Sequence, residues 1–162
     1  MDEAIYTVIK LPDRERLRFA TLITLSCKKY EIDPRIMVSI LKVESDFRQK
    51  AVSNTGDYSV AQINFKIWAK NFRKMDKDPL HFQRLKDDDA YAIFRMGEIL
   101  HDLQTNFSKK DEFWFARYHS NTPKFKNLYI KKLQSNLKKL LPYGSSLLED
   151  LPSYEKIIAA QN

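Results

Sequence analysis

A glutamate near the end of a predicted amphipathic helix is the residue of this chain best suited to acid chemistry. Asp33 and Pro34 favour the N-cap and the first turn of a helix, so a helix is predicted to begin there. The apolar residues that follow recur with helical spacing: Ile36, Met37, Ile40 and Leu41. Glu44 comes four residues after Ile40, so its side chain is predicted to lie on the same apolar face, close to the C-terminal end of the helix.

The predicted surroundings of Glu44 favour the protonated form of its carboxyl group. Burial disfavours the charged form, and the negative end of the helix dipole acts in the same direction. A carboxyl that keeps its proton near neutral pH can act as a general acid. The alternative is a solvated glutamate that pairs with Arg48, four residues further along the chain. The residues that follow Glu44 in the sequence favour its interpretation as a general acid.

A polar segment follows this helix. Residues 48–58 are rich in turn-forming residues and predict a structured loop, with at most a small β-hairpin near 50–60. The polar residues of 53–64, together with Tyr118 and His119 on a later helix, would make a groove suited to a sugar.

Asp57 offers a second carboxyl in this loop, thirteen residues after Glu44. If the two carboxyl groups were about 6.5–9.5 Å apart, a water could fit between them and inverting hydrolysis would be possible. An aspartate that stabilises a turn is the simpler interpretation.

The sequence lacks the motifs of most cofactor and metal chemistry. It has no glycine-rich phosphate loop, no CxxC or HExxH spacing and no GxSxG motif. The three histidines are scattered, so no metal site is expected. The single cysteine, Cys27, cannot form an intramolecular disulfide and is predicted to lie in the core. Acid catalysis by a carboxyl in a cleft, without a cofactor, is the chemistry that remains.

Composition favours one globular, largely helical domain over residues 1–162. Hydrophobic residues make up 43% of the chain and there are only 3 glycines, which argues against disorder and against many tight turns. The net charge of +7 favours an anionic partner. Nucleic acid is not expected, because the basic residues are dispersed and no nucleic-acid motif is present. No apolar run is long enough for a membrane span, and the acidic N-terminus does not read as a signal peptide.

The periodicity of the sequence predicts six helices. They lie over about 14–30, 33–47, 87–105, 109–119, 123–141 and 152–160. Residues 60–72 are predicted to be helical or to form two short turns, with Trp68 facing inward, and 73–86 to form an irregular connection. Gly97 costs about 1 kcal/mol inside a helix, so it predicts the close approach of another helix or of a ligand.

Leucines account for many of the predicted core positions. In the first helix the buried set is Leu17, Phe19, Ala20, Leu22, Ile23 and Leu25. In the helix over 123–141 the buried set is Leu128, Leu133, Leu137 and Leu140, and lysines occupy the opposite face, which is predicted to be solvated.

The stretch that begins at Glu44 resembles the signature of the lytic transglycosylases of the lysozyme-like superfamily. That signature reads ES-x-F, then A-x-S-x-x-G-x-x-G-x-x-Q. The matching residues are Glu44, Ser45, Phe47, Ala51, Ser53, Gly56 and Gln62. Weaker similarities follow in the same order, at Ile93, Met96, Gly97 and Leu100, at Ala116–His119 and at Tyr129, so the resemblance covers about residues 15–135. This chain departs from the pattern at Ser59, where a glycine is usual, at His119 and at Phe125.

The resemblance implies a mainly α, lysozyme-like single domain with two lobes around a substrate cleft. It also implies cleavage of the β-1,4 bond between N-acetylmuramic acid and N-acetylglucosamine in peptidoglycan, with Glu44 acting first as acid and then as base to form a 1,6-anhydro ring. The expected substrate-binding residues are Ser45, Ser53, Tyr58, Gln62, Asn64, Tyr118 and His119.

Several further expectations depend on this resemblance. The expected protein is a periplasmic or secreted monomer that acts on glycan strands, with a secretion or flagellar assembly as a candidate partner. One alternative is a lysozyme-type muramidase that uses Glu44 with Asp57. The other is a catalytically weak domain that binds cell wall or nucleic acid.

Overall fold

Helices dominate the computed structural model, which describes residues 8–140. Six α-helices lie in this part of the chain: α1 Asp13–Tyr30, α2 Pro34–Glu44, α3 Phe65–Lys74, α4 Phe82–Asp87, α5 Asp89–Phe107 and α6 Pro123–Leu140. Two short strands, β1 Asp57–Tyr58 and β2 Ile63–Asn64, and a 3-10 helix, Trp114–Tyr118, complete it. The mainly α class is therefore confirmed. The helix predicted over 152–160 lies outside the described residues.

Three of the helices begin at a residue whose side chain caps the first turn. Asp33 accepts a hydrogen bond from the backbone N–H of Arg35 at 2.9 Å, and Asp88 accepts one from that of Tyr91 at 3.0 Å. Asn64 caps α3 in the same way, through the N–H of Ile67 at 3.1 Å. Each cap satisfies a donor that the helix leaves unpaired and contributes about 1 kcal/mol.

Helix α5 packs closely on α1 at Gly97. A β-carbon at this position would lie 2.3 Å from Ser26 Oγ and 2.6 Å from Tyr30 Cδ2. Ser26 is buried and donates a hydrogen bond across the contact to the carbonyl of Ile93 at 3.1 Å. Gly97 is thus required by the close approach of another helix, one of the two reasons that the sequence predicted.

The inward faces of α1 and α6 differ from the predicted ones. Leu17, Leu25 and Leu128 are exposed, so their assignment to the core is wrong. The buried residues of α1 are Phe19, Ala20, Ile23, Ser26 and Cys27. In α6, Tyr129 and Leu133 are buried. A helix on the surface buries only one stripe, and a leucine outside that stripe remains in solvent.

Cys27 lies in the core as predicted. Its thiol is 2% exposed, and burial, aided by the negative charge of Asp33, raises its pKa well above the ordinary range. The thiol is therefore unreactive.

Local structure departs from the prediction in three segments. Residues 109–119 contain the 3-10 helix Trp114–Tyr118 instead of an α-helix, and the connection predicted over 73–86 contains α4. Helix α2 ends at Glu44, before the predicted end near Phe47, because Asp46 and Phe47 adopt left-handed backbone angles.

The predicted small hairpin is present. Asp57 pairs with Asn64 and Tyr58 with Ile63, so the second strand lies beyond the predicted window of 50–60. Residues 60–72 therefore form a turn, a strand and the start of α3. In the part of the chain described here, no helix has the length and hydrophobicity needed to cross a bilayer.

Candidate active site

A cleft of about 640 Å³ opens beside the C-terminal end of α2. The β-hairpin, α3, the end of α5, the 3-10 helix and the start of α6 all contribute side chains to its lining. Six residues that the sequence singled out line this cleft together: Glu44, Asp57, Gln62, Asn64, Tyr118 and His119.

Glu44 is held at the cleft by a tyrosine from α6. The hydroxyl of Tyr129 donates a hydrogen bond to Glu44 Oε1 at 2.6 Å, and the Glu44 side chain is 14% exposed. Among the described residues, no hydrogen bond uses Glu44 Oε2, which leaves that oxygen for a substrate. Arg48 donates instead to the carbonyl of Ser45 at 3.0 Å, so the alternative pairing of Glu44 with Arg48 is wrong.

His119 lies against both members of this pair. Its ring stacks on that of Tyr129 with centroids 4.5 Å apart and planes 7° from parallel. Its Nδ1 is 3.7 Å from Glu44 Oε1, which is an electrostatic contact slightly longer than a hydrogen bond. The adjacent Glu44 carboxyl group raises the pKa of His119 above 6.5, against the opposing effects of partial burial and of Lys132. Protonation of His119 is thereby favoured.

Tyr129 and Tyr118 are neutral hydroxyl donors near Glu44, and Tyr118 lines the cleft. Burial, reinforced by the negative charge of Glu44, raises the pKa of both well above 10. Tyr118 donates to the carbonyl of Ala61 at 2.7 Å, which ties the 3-10 helix to the loop after β1. The two tyrosines therefore fix the geometry around Glu44 without adding charge.

The carboxylate of Asp57 is held by its own hairpin. Ser53 Oγ donates to Oδ2 at 2.6 Å, Thr55 Oγ1 donates to the same oxygen, and Asn64 Nδ2 donates to Oδ1 at 2.9 Å. Desolvation acts to raise the pKa of Asp57, but these hydrogen bonds and the charge of His119 together lower it below 3.8. Asp57 is therefore an ionised carboxylate at the cleft.

Gln62 shapes the loop between the strands. Its Nε2 donates to the carbonyls of Ala51 at 3.0 Å and Ser59 at 2.9 Å, so the side chain closes the turn from within. Gln62 also lines the cleft, and no hydrogen bond with a described residue uses its amide oxygen.

The backbone between the end of α2 and β2 is strained. Five non-glycine residues have positive φ angles: Asp46 at 51°, Phe47 at 60°, Lys50 at 54°, Ser59 at 74° and Gln62 at 47°. Such conformations are unfavourable for L-residues and cluster at functional sites. The strain here surrounds Glu44, which is consistent with a site whose geometry is maintained at some cost in stability.

Ser59 allows a direct test of this strain. We expect a Ser59→Gly protein to be more stable than a Ser59→Ala protein by about 1 kcal/mol, because only glycine relieves the left-handed angle. Both variants lose the bond that Ser59 Oγ accepts from the N–H of Ala61 at 3.2 Å, so that loss cancels in the comparison. Chemical denaturation measures the difference. At Ser108, where φ is −58°, the order should reverse. Equal stabilities for the two Ser59 variants would show that the angle costs nothing.

Three predicted binding residues do not line the cleft. Ser45 is buried and donates to the carbonyl of Val60 at 2.6 Å. Ser53 is bound to Asp57, and Tyr58 packs edge-on against Phe82 with centroids 5.0 Å apart. All three support the loop and the hairpin from positions outside the cleft.

Other residues at the site were not predicted as functional. Tyr129 is the most important, and the only signal for it was the similarity of α6 to the last helix of the signature. Trp68 was predicted to lie in the core, but it is half-buried and also lines the cleft. Thr55 and Arg117 line it as well. Across residues 8–140, no group of three or more His, Cys, Asp or Glu side chains could hold a metal ion.

Comparison with known proteins places this site in a family. The family model described as the transglycosylase SLT domain matches residues 22–122, which is more than half of the chain and includes every residue of the Glu44–Gln62 signature. No curated protein matches the chain. The chain therefore belongs to the transglycosylase SLT domain family, whose substrate is peptidoglycan.

Proposed function

We propose that this protein is a peptidoglycan lytic transglycosylase with Glu44 as its acid and base. The observation that carries the proposal is the placement of Glu44 in the cleft, with Oε1 fixed by Tyr129 and Oε2 left for a substrate. A carboxyl in this arrangement can pass a proton to a substrate oxygen within hydrogen-bond reach.

The reaction needs only this one carboxyl. Glu44 gives its proton to the oxygen between N-acetylmuramic acid and N-acetylglucosamine as the bond to the muramoyl C1 breaks. The resulting carboxylate then takes the proton of the muramoyl C6 hydroxyl, whose oxygen attacks C1 and closes the 1,6-anhydro ring. The sugar's own hydroxyl thus replaces the water that a glycosidase with two carboxylates would activate.

His119 supports the step in which Glu44 becomes charged. A protonated imidazole 3.7 Å from Oε1 favours the carboxylate that forms when the proton leaves. The stacking of His119 on Tyr129 holds both side chains in position, so we assign His119 a positioning and electrostatic role.

A muramidase is the second candidate, and the state of Asp57 favours it. Asp57 lines the same cleft as Glu44 and remains ionised, as required of a carboxylate that activates a water or stabilises an oxocarbenium ion. The same three hydrogen bonds also suit a structural role in the hairpin, so the reaction product must decide.

Product analysis with an Asp57→Asn variant separates the two functions. For a transglycosylase, mass spectrometry should find 1,6-anhydromuramoyl ends, and the variant should retain at least about a tenth of the turnover because no catalytic step uses Asp57. For a muramidase, the products should have reducing ends and the variant should lose at least about a hundredfold. Asp76→Asn, at an exposed position outside the cleft, is the matched control and should remain fully active. Reducing ends from the unaltered protein would refute the transglycosylase mechanism.

Location and partners follow from the proposed substrate. An enzyme that acts on peptidoglycan works outside the cytoplasmic membrane, so we propose a periplasmic or secreted site of action. The dispersed lysines and the absence of a nucleic-acid motif in the sequence support a wall polymer over nucleic acid as the anionic partner.

A further inference from the structure

Arg117 extends the cleft beyond the residues used in the reaction. It lies on the 3-10 helix, lines the cleft and is held on three sides. Its Nε donates to Asp111 Oδ2 at 2.8 Å, its Nη1 donates to Asn121 Oδ1 at 3.0 Å, and its guanidinium carbon lies 4.1 Å from the centre of the Phe107 ring. The side chain is 24% exposed. Arg117 is therefore a partly exposed cation whose orientation at the cleft is fixed by these three contacts.

The charges around Arg117 do not cancel. Lys126 contacts the same oxygen of Asp111, so two cations share a single carboxylate. Desolvation opposes ionisation of Asp111, but Lys126 and Arg117 hold its pKa below 3.8, so Asp111 is ionised near neutral pH. A net positive charge remains at this part of the cleft. Because the side chains are largely buried, water screens that charge only partly.

Two hydrogen-bond donors remain at this part of the cleft. No hydrogen bond with a described residue uses Nη2 of Arg117. Asn121 is exposed, and its Oδ1 is occupied by Arg117, so its amide nitrogen is the group left for a ligand. Two donors beside a net positive charge bind a carboxylate more strongly than a neutral hydroxyl, because the bonds to a carboxylate are charge-assisted.

We propose that Arg117 and Asn121 form a subsite for a carboxylate attached to the muramic acid residue of the substrate. This subsite rests on the proposed function, because it is muramic acid that brings an anion to the glycan strand. The carboxylate can come from two sources. One is the lactyl group itself, which is free on strands whose stem peptides have been removed. The other is a stem peptide, which adds carboxylates of its own where it is present.

The test compares Arg117→Gln with the unaltered protein on three ligands. They are soluble glycan strands with stem peptides, the same strands after an amidase has removed the peptides, and chitotetraose, which has no carboxylate. Arg14→Gln, an exposed arginine of α1 outside the cleft, is the control for the loss of one positive charge. The kcat and KM are measured on the strands, and dissociation constants on all three ligands.

We expect Arg117→Gln to raise KM at least about tenfold on the strands whose carboxylate the subsite binds, because a charge-assisted hydrogen bond is lost. The kcat and the affinity for chitotetraose should change by less than about twofold. Arg117→Lys should recover part of the affinity, since lysine keeps the positive charge but lacks the paired N–H groups with which a guanidinium binds both oxygens of a carboxylate. The kind of strand that is affected identifies the source of the carboxylate.

Two results would overturn the subsite. One is an unchanged KM on both kinds of strand. The other is an equal loss of affinity for chitotetraose, which would show that Arg117 only supports the fold through Asp111. A different result tests the proposed function: if the unaltered protein formed no anhydromuramoyl ends, that function would fail, and the dissociation constants for the strands would still decide the subsite.

Discussion

Replacing Glu44 with glutamine is expected to lower the turnover of purified peptidoglycan by about a thousandfold while the fold is retained. Glutamine has the same shape, and its amide oxygen can still accept the hydrogen bond that Tyr129 donates at 2.6 Å. It cannot release or take up a proton, so the general acid and base are lost together. Release of soluble muropeptides measures turnover, and circular dichroism measures folding.

The matched control is Glu15→Gln, an exposed glutamate in the first turn of α1. This variant has the same change of charge and should keep full activity. If a folded Glu44→Gln protein retained more than about a tenth of the activity, another group would have to supply the proton.

The Glu44→Gln variant also tests the electrostatic interaction between Glu44 and His119. Because Glu44 raises the pKa of His119 above 6.5, protonated His119 stabilises the folded protein. This contribution is fully present below about pH 6.5 and is lost as the pH rises through the higher pKa of the folded state. In Glu44→Gln the pKa of His119, followed by NMR, should fall towards 6.5, and this part of the pH dependence of stability should disappear.

The elements that sequence reasoning located well are those whose ends are fixed by local contacts. Asp33 and Pro34 define the start of α2, and Asp88 defines the start of α5, through bonds to residues two or three positions away. Local contacts of this kind are visible in the sequence because both partners lie in one window.

The 3-10 helix shows where periodicity fails. Trp114, Phe115, Ala116 and Tyr118 are buried, and Arg117 is the one partly exposed residue of the segment, which is too short to show a helical period. Its backbone follows the packing of these side chains and the turn at Asp111, whose carbonyl accepts from the N–H of Trp114 at 3.1 Å. The conformation of this segment is therefore set by tertiary contacts and not by the helical propensity of its residues.

The candidate site was predictable to the extent that it is continuous in the sequence. Glu44, Asp57, Gln62 and Asn64 lie within one stretch, and the structure brings them to one cleft. The spacing of that stretch could not reveal which side chains point into the cleft, and it did not show that Ser45 is buried. Side-chain direction here depends on the left-handed backbone angles after α2. Such angles cannot be predicted from the sequence when the residues that adopt them are not glycines.

Tyr129 illustrates what one sequence cannot supply. It is separated from Glu44 by 85 residues, and a tyrosine on an amphipathic helix is more often a core residue than a hydrogen-bond donor to an acid. Beyond its similarity to the family pattern, its role follows from the packing of α6 against α2, which places its hydroxyl within hydrogen-bond distance of the Glu44 carboxyl.

Replacing Tyr129 with phenylalanine is therefore the second decisive experiment. Without the donor, Glu44 Oε1 loses its partner and the carboxyl can leave the orientation that presents Oε2 to the cleft. We expect kcat to fall about tenfold to a hundredfold, while KM stays within about twofold because the ring still stacks on His119 and fills its place.

A tyrosine outside the cleft provides the control for this experiment. Tyr91 is also buried, and its hydroxyl accepts from the backbone N–H of His81 at 2.9 Å. Tyr91→Phe should cost a similar amount of stability, about 1 kcal/mol, with no loss of kcat. If the two variants lost activity in proportion to their loss of stability, Tyr129 would be a structural residue. A selective fall in kcat for Tyr129→Phe, at a stability matched by Tyr91→Phe, would instead identify the hydroxyl on Glu44 as part of the machinery that positions the acid.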